Sequence, residues 1–268
     1  MNRLNARLYL PILAAAVLAA GCDYRHERRA ANSERATVTR NWPAAGIAQL
    51  KVFEVSGSIT VEAAPGNEIS LLASAEGDLD VQKGAENEGL FTTELTGDTL
   101  SIGRKKEHRS GFRFFWDNDD VEIDYVLKVP PNVALDVSTV NGRISTRGTE
   151  GATEASTVNG AIDIETAGLR ELHATTVNGR VKAKFTRGFS GARFKSVNGG
   201  VEASLPTNAS FTVNLSQVNG DFEASFPLSI HSNPGSRRVS GEVNGGMHPL
   251  KITTVNGDVE LARLGDQS

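Results

Sequence analysis

Residues 135–144 read Leu135-Asp136-Val137-Ser138-Thr139-Val140-Asn141-Gly142-Arg143-Ile144, and the core of this pattern returns along the chain. Val-Asn-Gly occurs seven times, beginning at Val140, Val158, Val177, Val197, Val218, Val243 and Val255. Ser or Thr precedes most copies, and an aliphatic or aromatic residue follows one position after the Gly, as in Thr157-Val158-Asn159-Gly160-Ala161-Ile162. Apolar residues alternate on both sides of the turns. Leu135 and Val137 lead in, Ile162 and Ile164 lead out, and Val181, Ala183 and Phe185 keep the same rhythm. A period of two is the signature of half-buried strands. Gly148, Gly151, Gly168, Gly188 and Leu205-Pro206 supply turn chemistry at the far ends of the units. Each unit therefore reads as strand, Asn-Gly turn, strand, return turn.

The turn asparagines Asn141, Asn159, Asn178, Asn198 and Asn219 lie 18, 19, 20 and 21 residues apart, after which Asn244 and Asn256 break the progression. Taking Val239-Ser240-Gly241-Glu242-Val243 as the next rung, with Ser240 in the Asn place, restores it and makes Asn244-Gly245 an extra turn. Degenerate copies precede the regular ones at Val55-Ser56-Gly57-Ser58-Ile59, Ala75-Glu76-Gly77-Asp78-Leu79 and Leu95-Thr96-Gly97-Asp98-Thr99, and Asn118-Asp119-Asp120-Val121 echoes Asn256-Gly257-Asp258-Val259. This predicts eleven rungs at a mean step of 20 residues. The regular set spans 131–264. A weaker set spans 46–130, where irregular hairpins are an alternative.

Two all-β architectures use such a repeat. In a meander, each Asn-Gly is a tight hairpin turn. In a parallel β-helix or solenoid, each unit is one coil and like residues stack on like about 4.8 Å apart. Constant unit length with one recurring turn favours the solenoid. Stacked asparagine amides hydrogen-bond along a column, as in cross-β ladders, so Asn141, Asn159, Asn178, Asn198, Asn219 and Asn256 are expected to form a structural ladder that the preceding Ser and Thr extend.

These repeats, introduced by Val126-Leu127-Lys128-Val129-Pro130-Pro131-Asn132-Val133-Ala134-Leu135, resemble a bacterial β-strand-repeat family catalogued as candidate adhesins. The resemblance covers roughly residues 47–262 and is strongest from about 121 onward. It implies a single-chain, β-helix-like fold on an envelope protein of unknown biochemical function, and it carries no catalytic residues.

The N-terminus is read apart from the fold. Arg3 and Arg7 precede an apolar run from Leu8 to Ala20, shorter than the roughly 20 residues that span a bilayer. Leu18-Ala19-Ala20-Gly21-Cys22 resembles a bacterial lipobox, with Ala19 where that box more often has Leu. Residues 1–21 are then a signal peptide, Cys22 is the lipid-attachment (palmitate-bearing) residue, and polar residues 22–45 are a flexible tether. Asp23 resembles the inner-membrane retention signal of enteric bacteria, which slightly favours that membrane for a periplasm-facing protein. Cys22 is the only cysteine, which excludes disulfides and thiolate metal sites. Cleavage leaves 26 basic and 32 acidic residues, a net charge of −6 that is wrong for a nucleic-acid partner.

Few residues suggest chemistry. Ser145, Asp163, Lys182, Glu202 and Glu223 each follow a turn Asn by four residues and are expected to form one outer column of cross-strand charge pairs. Glu202 and Glu223 on adjacent rungs would lie about 5 Å apart, near the carboxylate separation of retaining glycosidases. Segment 104–120 departs from the repeat and concentrates Phe112, Phe114, Phe115 and Trp116. It reads either as a cap on the stack or as a protruding interaction loop. Asp117-Asn118-Asp119-Asp120 lacks the Gly and terminal Glu of an EF-hand calcium loop. His26, His108, His173, His231 and His248 show no metal-ligand spacing.

No cofactor motif and no catalytic constellation is evident. The favoured function is a non-enzymatic envelope lipoprotein that binds an envelope protein or cell-wall glycan. An accessory or sensor protein in envelope-stress signalling is the alternative, and a polysaccharide-active β-helix enzyme is the weaker third reading.

Overall fold

The computed structural model describes residues 34–77, 91–104, 121–228, 231–232 and 238–265. The expected lipid-attachment residue Cys22, its neighbour Asp23 and the aromatic cluster Phe112, Phe114, Phe115 and Trp116 lie outside them. The first seven strands are β1 (Glu34–Pro43), β2 (Gln49–Ser56), β3 (Ile59–Ala63), β4 (Glu68–Gly77), β5 (Thr92–Thr96), β6 (Thr99–Gly103) and β7 (Glu122–Val129). Next come β8 (Ala134–Asn141), β9 (Ile144–Thr149), β10 (Thr153–Asn159), β11 (Ile162–Thr166), β12 (Leu172–Asn178), β13 (Val181–Phe185), β14 (Ala192–Asn198) and β15 (Val201–Leu205). The last six are β16 (Phe211–Asn219), β17 (Phe222–Ala224), β18 (His231–Ser232), β19 (Arg238–Val243), β20 (His248–Asn256) and β21 (Val259–Arg263).

Successive strands of a unit go to different sheets. Sheet A runs β1-β4-β7-β3-β9-β11-β13-β15-β21-β17, and sheet B runs β18-β19-β16-β20-β14-β12-β10-β8-β2-β6-β5. Each pair from β8–β9 to β14–β15 is one coil lying parallel and in register on the next, with Asn141, Asn159, Asn178 and Asn198 as mutual partners. A meander is therefore excluded for these units, because its neighbouring strands would be antiparallel.

Alternation fills the space between the sheets. Leu135, Val137, Ile144, Ile162, Leu172, Val181, Phe185, Phe194 and Val201 all face inward and are buried. Near the C-terminal end of the stack, Phe185, Phe189, Phe211 and Phe226 form a chain of edge-to-face contacts with centroids 5.0, 5.7 and 5.2 Å apart.

The coils do not stack in chain order. β20–β21 inserts between β14–β15 and β16–β17, so Asn256 registers with both Asn198 and Asn219. This corrects the expectation that Val239–Val243 is a rung. That segment belongs to β19, antiparallel to β16, where Ser240 opposes Asn214 and takes no Asn position. The extra turn at Asn244-Gly245 is present, with Asn244 at φ 49°. It reverses the chain after β19 so that β20 can run parallel to β16.

The same device operates at the other end. β2–β3 stacks on β8–β9 with Ser56 opposite Asn141, while β6–β7, later in sequence, lies outside β2–β3. Of the degenerate copies within the described residues, only the one at Ser56-Gly57 is a corner of the Asn type, and Asn118-Asp119-Asp120 lies outside those residues. Ala75–Gly77 ends the antiparallel β4, and Thr96-Gly97-Asp98-Thr99 turns the antiparallel β5–β6 hairpin. Among the described residues the stack has eight two-strand coils, not eleven rungs. Residues 34–43 of the expected tether form β1, antiparallel to β4. Only Val38 is buried there and Trp42 packs on the core, so the edge of β4 orders a segment with little apolar periodicity of its own.

Candidate functional site

Two internal columns fix the corners of the coils. The amide nitrogen of Asn159 donates to the Oδ1 of Asn141 (2.8 Å), Asn178 to Asn159 (2.7 Å) and Asn198 to Asn178 (2.9 Å). Asn256 continues the run to Asn198 (3.0 Å) and Asn219 to Asn256 (2.9 Å), giving one exposed ladder of all six asparagines. Beneath it, the hydroxyls of Thr139, Thr157, Thr176, Ser196 and Thr254 donate to the carbonyls of Gly57, Gly142, Gly160, Gly179 and Gly199, each one coil away. The glycines are required by contact. A Cβ on Gly160 or Gly179 would overlap the carbonyl oxygen of the corner glycine in the adjoining coil.

The hydroxyl column ends in longer residues. Gln217 occupies the Thr position of the last coil and donates to the carbonyls of Gly257 (2.8 Å) and Asp221 (3.2 Å). Glu54 registers with Thr139 at the opposite end and is fully buried. Its carboxylate meets the Nε of Arg104 at 2.8 Å and accepts from the Tyr125 hydroxyl at 2.9 Å and from the Val55 amide at 2.8 Å. Arg104 also donates to the Val121 carbonyl at 2.5 Å. Burial first, then the Glu54 charge and hydrogen bond, hold the Tyr125 phenol far above its ordinary range. The cluster is a buried ion pair that closes one end of the column. Sequence reading overlooked it, although a Glu and a Gln in a Ser/Thr register were the available signal.

The outer face of sheet A carries the expected charge column, with one correction. Ser145, Asp163, Lys182 and Glu202 occupy successive strands, and Lys182 pairs with Glu202 at 2.6 Å. Glu223 is not next to Glu202, because Glu260 on the inserted β21 stands between them. Two strand steps put the Glu202 and Glu223 positions roughly 9.6 Å apart, and the adjacent-rung geometry of a retaining glycosidase fails. Among the described residues, no group of three or more His, Cys, Asp or Glu is arranged to hold a metal ion.

The outer face of sheet B is organised in three lanes running along the stack. Next to the asparagine ladder, Val158, Val177, Val197, Val255 and Val218 are 37–58% exposed, an aliphatic lane made by the valines of the repeated tripeptide. Beside it runs a lane of Phe53, Ser138, Ser156, Thr175, Lys195, Thr253 and Ser216. The outer lane is charged: Lys51, Asp136, Glu154, His173, Arg193 and Lys251. At the Phe53 end, Lys51, Phe53, Ser101, Asp136 and Ser138 help to line a shallow groove of about 430 Å³.

The chain matches the Toastrack DUF4097 family over residues 43–262. Among solved structures it is similar to a candidate cell adhesion protein from Clostridium sporogenes, at 9% identity and a TM-score of 0.45, covering 86% of this chain and 100% of that one. It is also similar to a candidate adhesin from Bacteroides fragilis, at 10% identity and a TM-score of 0.35, covering 84% and 97%. A third similar structure is a candidate lipid binding protein from Parabacteroides distasonis, at 14% identity and a TM-score of 0.28, covering 85% and 96%. No curated protein matches. With 43–262 aligned, and an all-β stack of two mostly parallel sheets beneath that alignment, this chain belongs to the Toastrack DUF4097 family.

Proposed function

We propose that the chain is a non-enzymatic envelope lipoprotein, anchored by acyl chains on Cys22, whose sheet faces serve as a rigid surface for adhesion or another macromolecular interaction. On this reading each Val-Asn-Gly other than Val243-Asn244-Gly245 is the corner of one coil of about 20 residues. The observation that supports it most directly is the sheet B face. There the in-register stack repeats the same class of side chain strand after strand, giving an extended patterned surface rather than a converging cleft. The engagement of Glu202 by Lys182, away from Glu223, favours display over hydrolysis. The similarity to candidate adhesins agrees with the same reading but adds no weight of its own.

Anchoring and binding are tested separately. Labelled palmitate should enter the wild-type protein, while Cys22→Ser should take up no label and leave the membrane pellet. Label persisting in the variant would end the anchor reading. The mature chain should be retained on immobilised isolated envelope without releasing glycan fragments. Absence of retention, or steady release of fragments, would overturn the display function.

A further inference from the structure

Arg193 and Lys195 project from β14, and Lys251 from the adjoining β20, where it is the register partner of Arg193. All three are exposed, and none has an ion-pair partner among the described residues. Like charges directly opposite one another on adjacent strands are destabilising. On the sheet A side of the same two coils Glu202 likewise opposes Glu260, but there Lys182 and Arg180 meet Glu202 at 2.6 and 3.7 Å. The cations on sheet B are therefore placed against the interest of the isolated fold, on a chain whose mature net charge is negative. An external anion is what they are built to meet.

Their surroundings define its class. Lys195 lies within the hydroxyl lane, flanked by Thr175 on one side and by Thr253 then Ser216 on the other. Six strand steps separate Ser216 from Phe53, so the lane is roughly 29 Å long. Its short hydroxyl side chains run between the exposed valines and the charged lane, and it ends at the half-exposed Phe53 ring and the groove beside it. Hydroxyl donors, an exposed ring and an apolar border suit the polar edges and apolar faces of sugar rings. Arg193 and Lys251 stand one strand step apart with Lys195 two residues along β14, a compact cationic cluster that suits neighbouring carboxylates of an anionic polymer. Nucleic acid calls for a broader basic field than three cations on an acidic protein provide.

We propose that this lane of sheet B binds a linear acidic glycan, laid along the stack with its carboxylates on Arg193, Lys195 and Lys251 and a sugar ring against Phe53. The proposal rests on reading the chain as a non-enzymatic display surface and names what that surface takes up. The test is affinity electrophoresis of the mature chain in gels containing polygalacturonate or unsubstituted dextran, together with sedimentation on phosphatidylglycerol vesicles. Polygalacturonate should retard the protein and dextran should not. The triple variant Arg193→Gln, Lys195→Gln, Lys251→Gln should bind at least tenfold more weakly, and Phe53→Ala several-fold more weakly. A control losing the same charge on the sheet A side (Arg143→Gln, Arg180→Gln, Lys184→Gln) should bind as the parent does. The inference is overturned by absence of retardation in polygalacturonate, by equal losses in the two triple variants, or by equally tight vesicle binding through the same three cations. None of those results touches the broader display reading, which falls if isolated envelope retains nothing or releases glycan fragments.

Discussion

At the residue scale, the Asn-Gly corner does two jobs that a hairpin turn does not require. Glycine admits the carbonyl of the adjoining corner, and asparagine both donates to one neighbour and accepts from the other. Asp-Gly is nearly as good a turn as Asn-Gly, which allows the ladder to be separated from turn preference. Asn178→Asp should destabilise by about 1–3 kcal/mol, because a carboxylate cannot donate to Asn159 and its charge faces that amide's oxygen. Asn178→Ala loses both bonds, to Asn159 and from Asn198, but adds no repulsion, so it should cost about 1–2 kcal/mol. Urea midpoints of the three proteins decide the matter, and an Asp variant as stable as the parent would refute the ladder. The repeat made this column legible from sequence, since six asparagines in one register have few other uses. Glu54 and Gln217 stood out in the sequence only as breaks in the Ser/Thr register, because their role follows from having no further Asn-type corner beyond them.

At the scale of elements, the main departure from sequence order is the insertion of β20–β21. β16–β17 is laid down one place too far along, and the antiparallel β18 and β19 return the chain so that the last coil fills the gap. Cysteine pairing tests this order directly in a Cys22→Ser background, which removes the single native thiol. Lys195 and Thr253 are register partners on neighbouring strands, about 4.8 Å apart and within disulfide reach. Lys195 and Ser216 are two steps apart, roughly 9.6 Å and out of reach. Oxidation should therefore cross-link the Lys195→Cys, Thr253→Cys pair and leave Lys195→Cys, Ser216→Cys as free thiols. Cross-linking of the second pair instead would restore stacking in chain order. A hint was present in the sequence: Thr254 belongs to the interior hydroxyl series, whereas Gln217 does not.

At the scale of the whole molecule, the stack is quasi-one-dimensional, so a disturbance at one end is felt mainly by its neighbours. Antiparallel strands flank both sheets at one end (β1 and β4 on sheet A, β5 on sheet B) and sheet B at the other (β18 and β19), where β17 is the edge of sheet A among the described residues. Paired edges of this kind limit further addition of strands. The first of these ends holds Glu54, Arg104 and Tyr125. Tyr125 in the folded chain titrates well above the unfolded value of about 10, so the unfolded state releases its proton first as pH rises. Stability is consequently whole below pH 10 and declines above it. Urea titrations followed by tryptophan fluorescence, with Trp42 in β1, should show the midpoint falling as the pH rises above 10. Tyr125→Phe should remove that component of the decline while lowering stability at neutral pH by about 1–3 kcal/mol, since Glu54 loses a buried donor. An unchanged alkaline slope in the variant would assign the decline to other groups.

What the sequence determined by itself was the local rule. Alternation makes strands because successive side chains point to opposite faces, and a repeated Asn-Gly makes equivalent corners because only glycine tolerates the close backbone approach and only a primary amide both donates and accepts along a column. What the tertiary structure alone decided was which corner lies on which. Every Val-Asn-Gly coil can stack on every other, so local chemistry leaves their order nearly degenerate. The order is set by the ends, where Glu54 and Gln217 close the hydroxyl column and antiparallel strands fold back to close the sheets. That order brings Arg193 beside Lys251 and places Glu260 between Glu202 and Glu223, although neither arrangement follows from spacing along the chain.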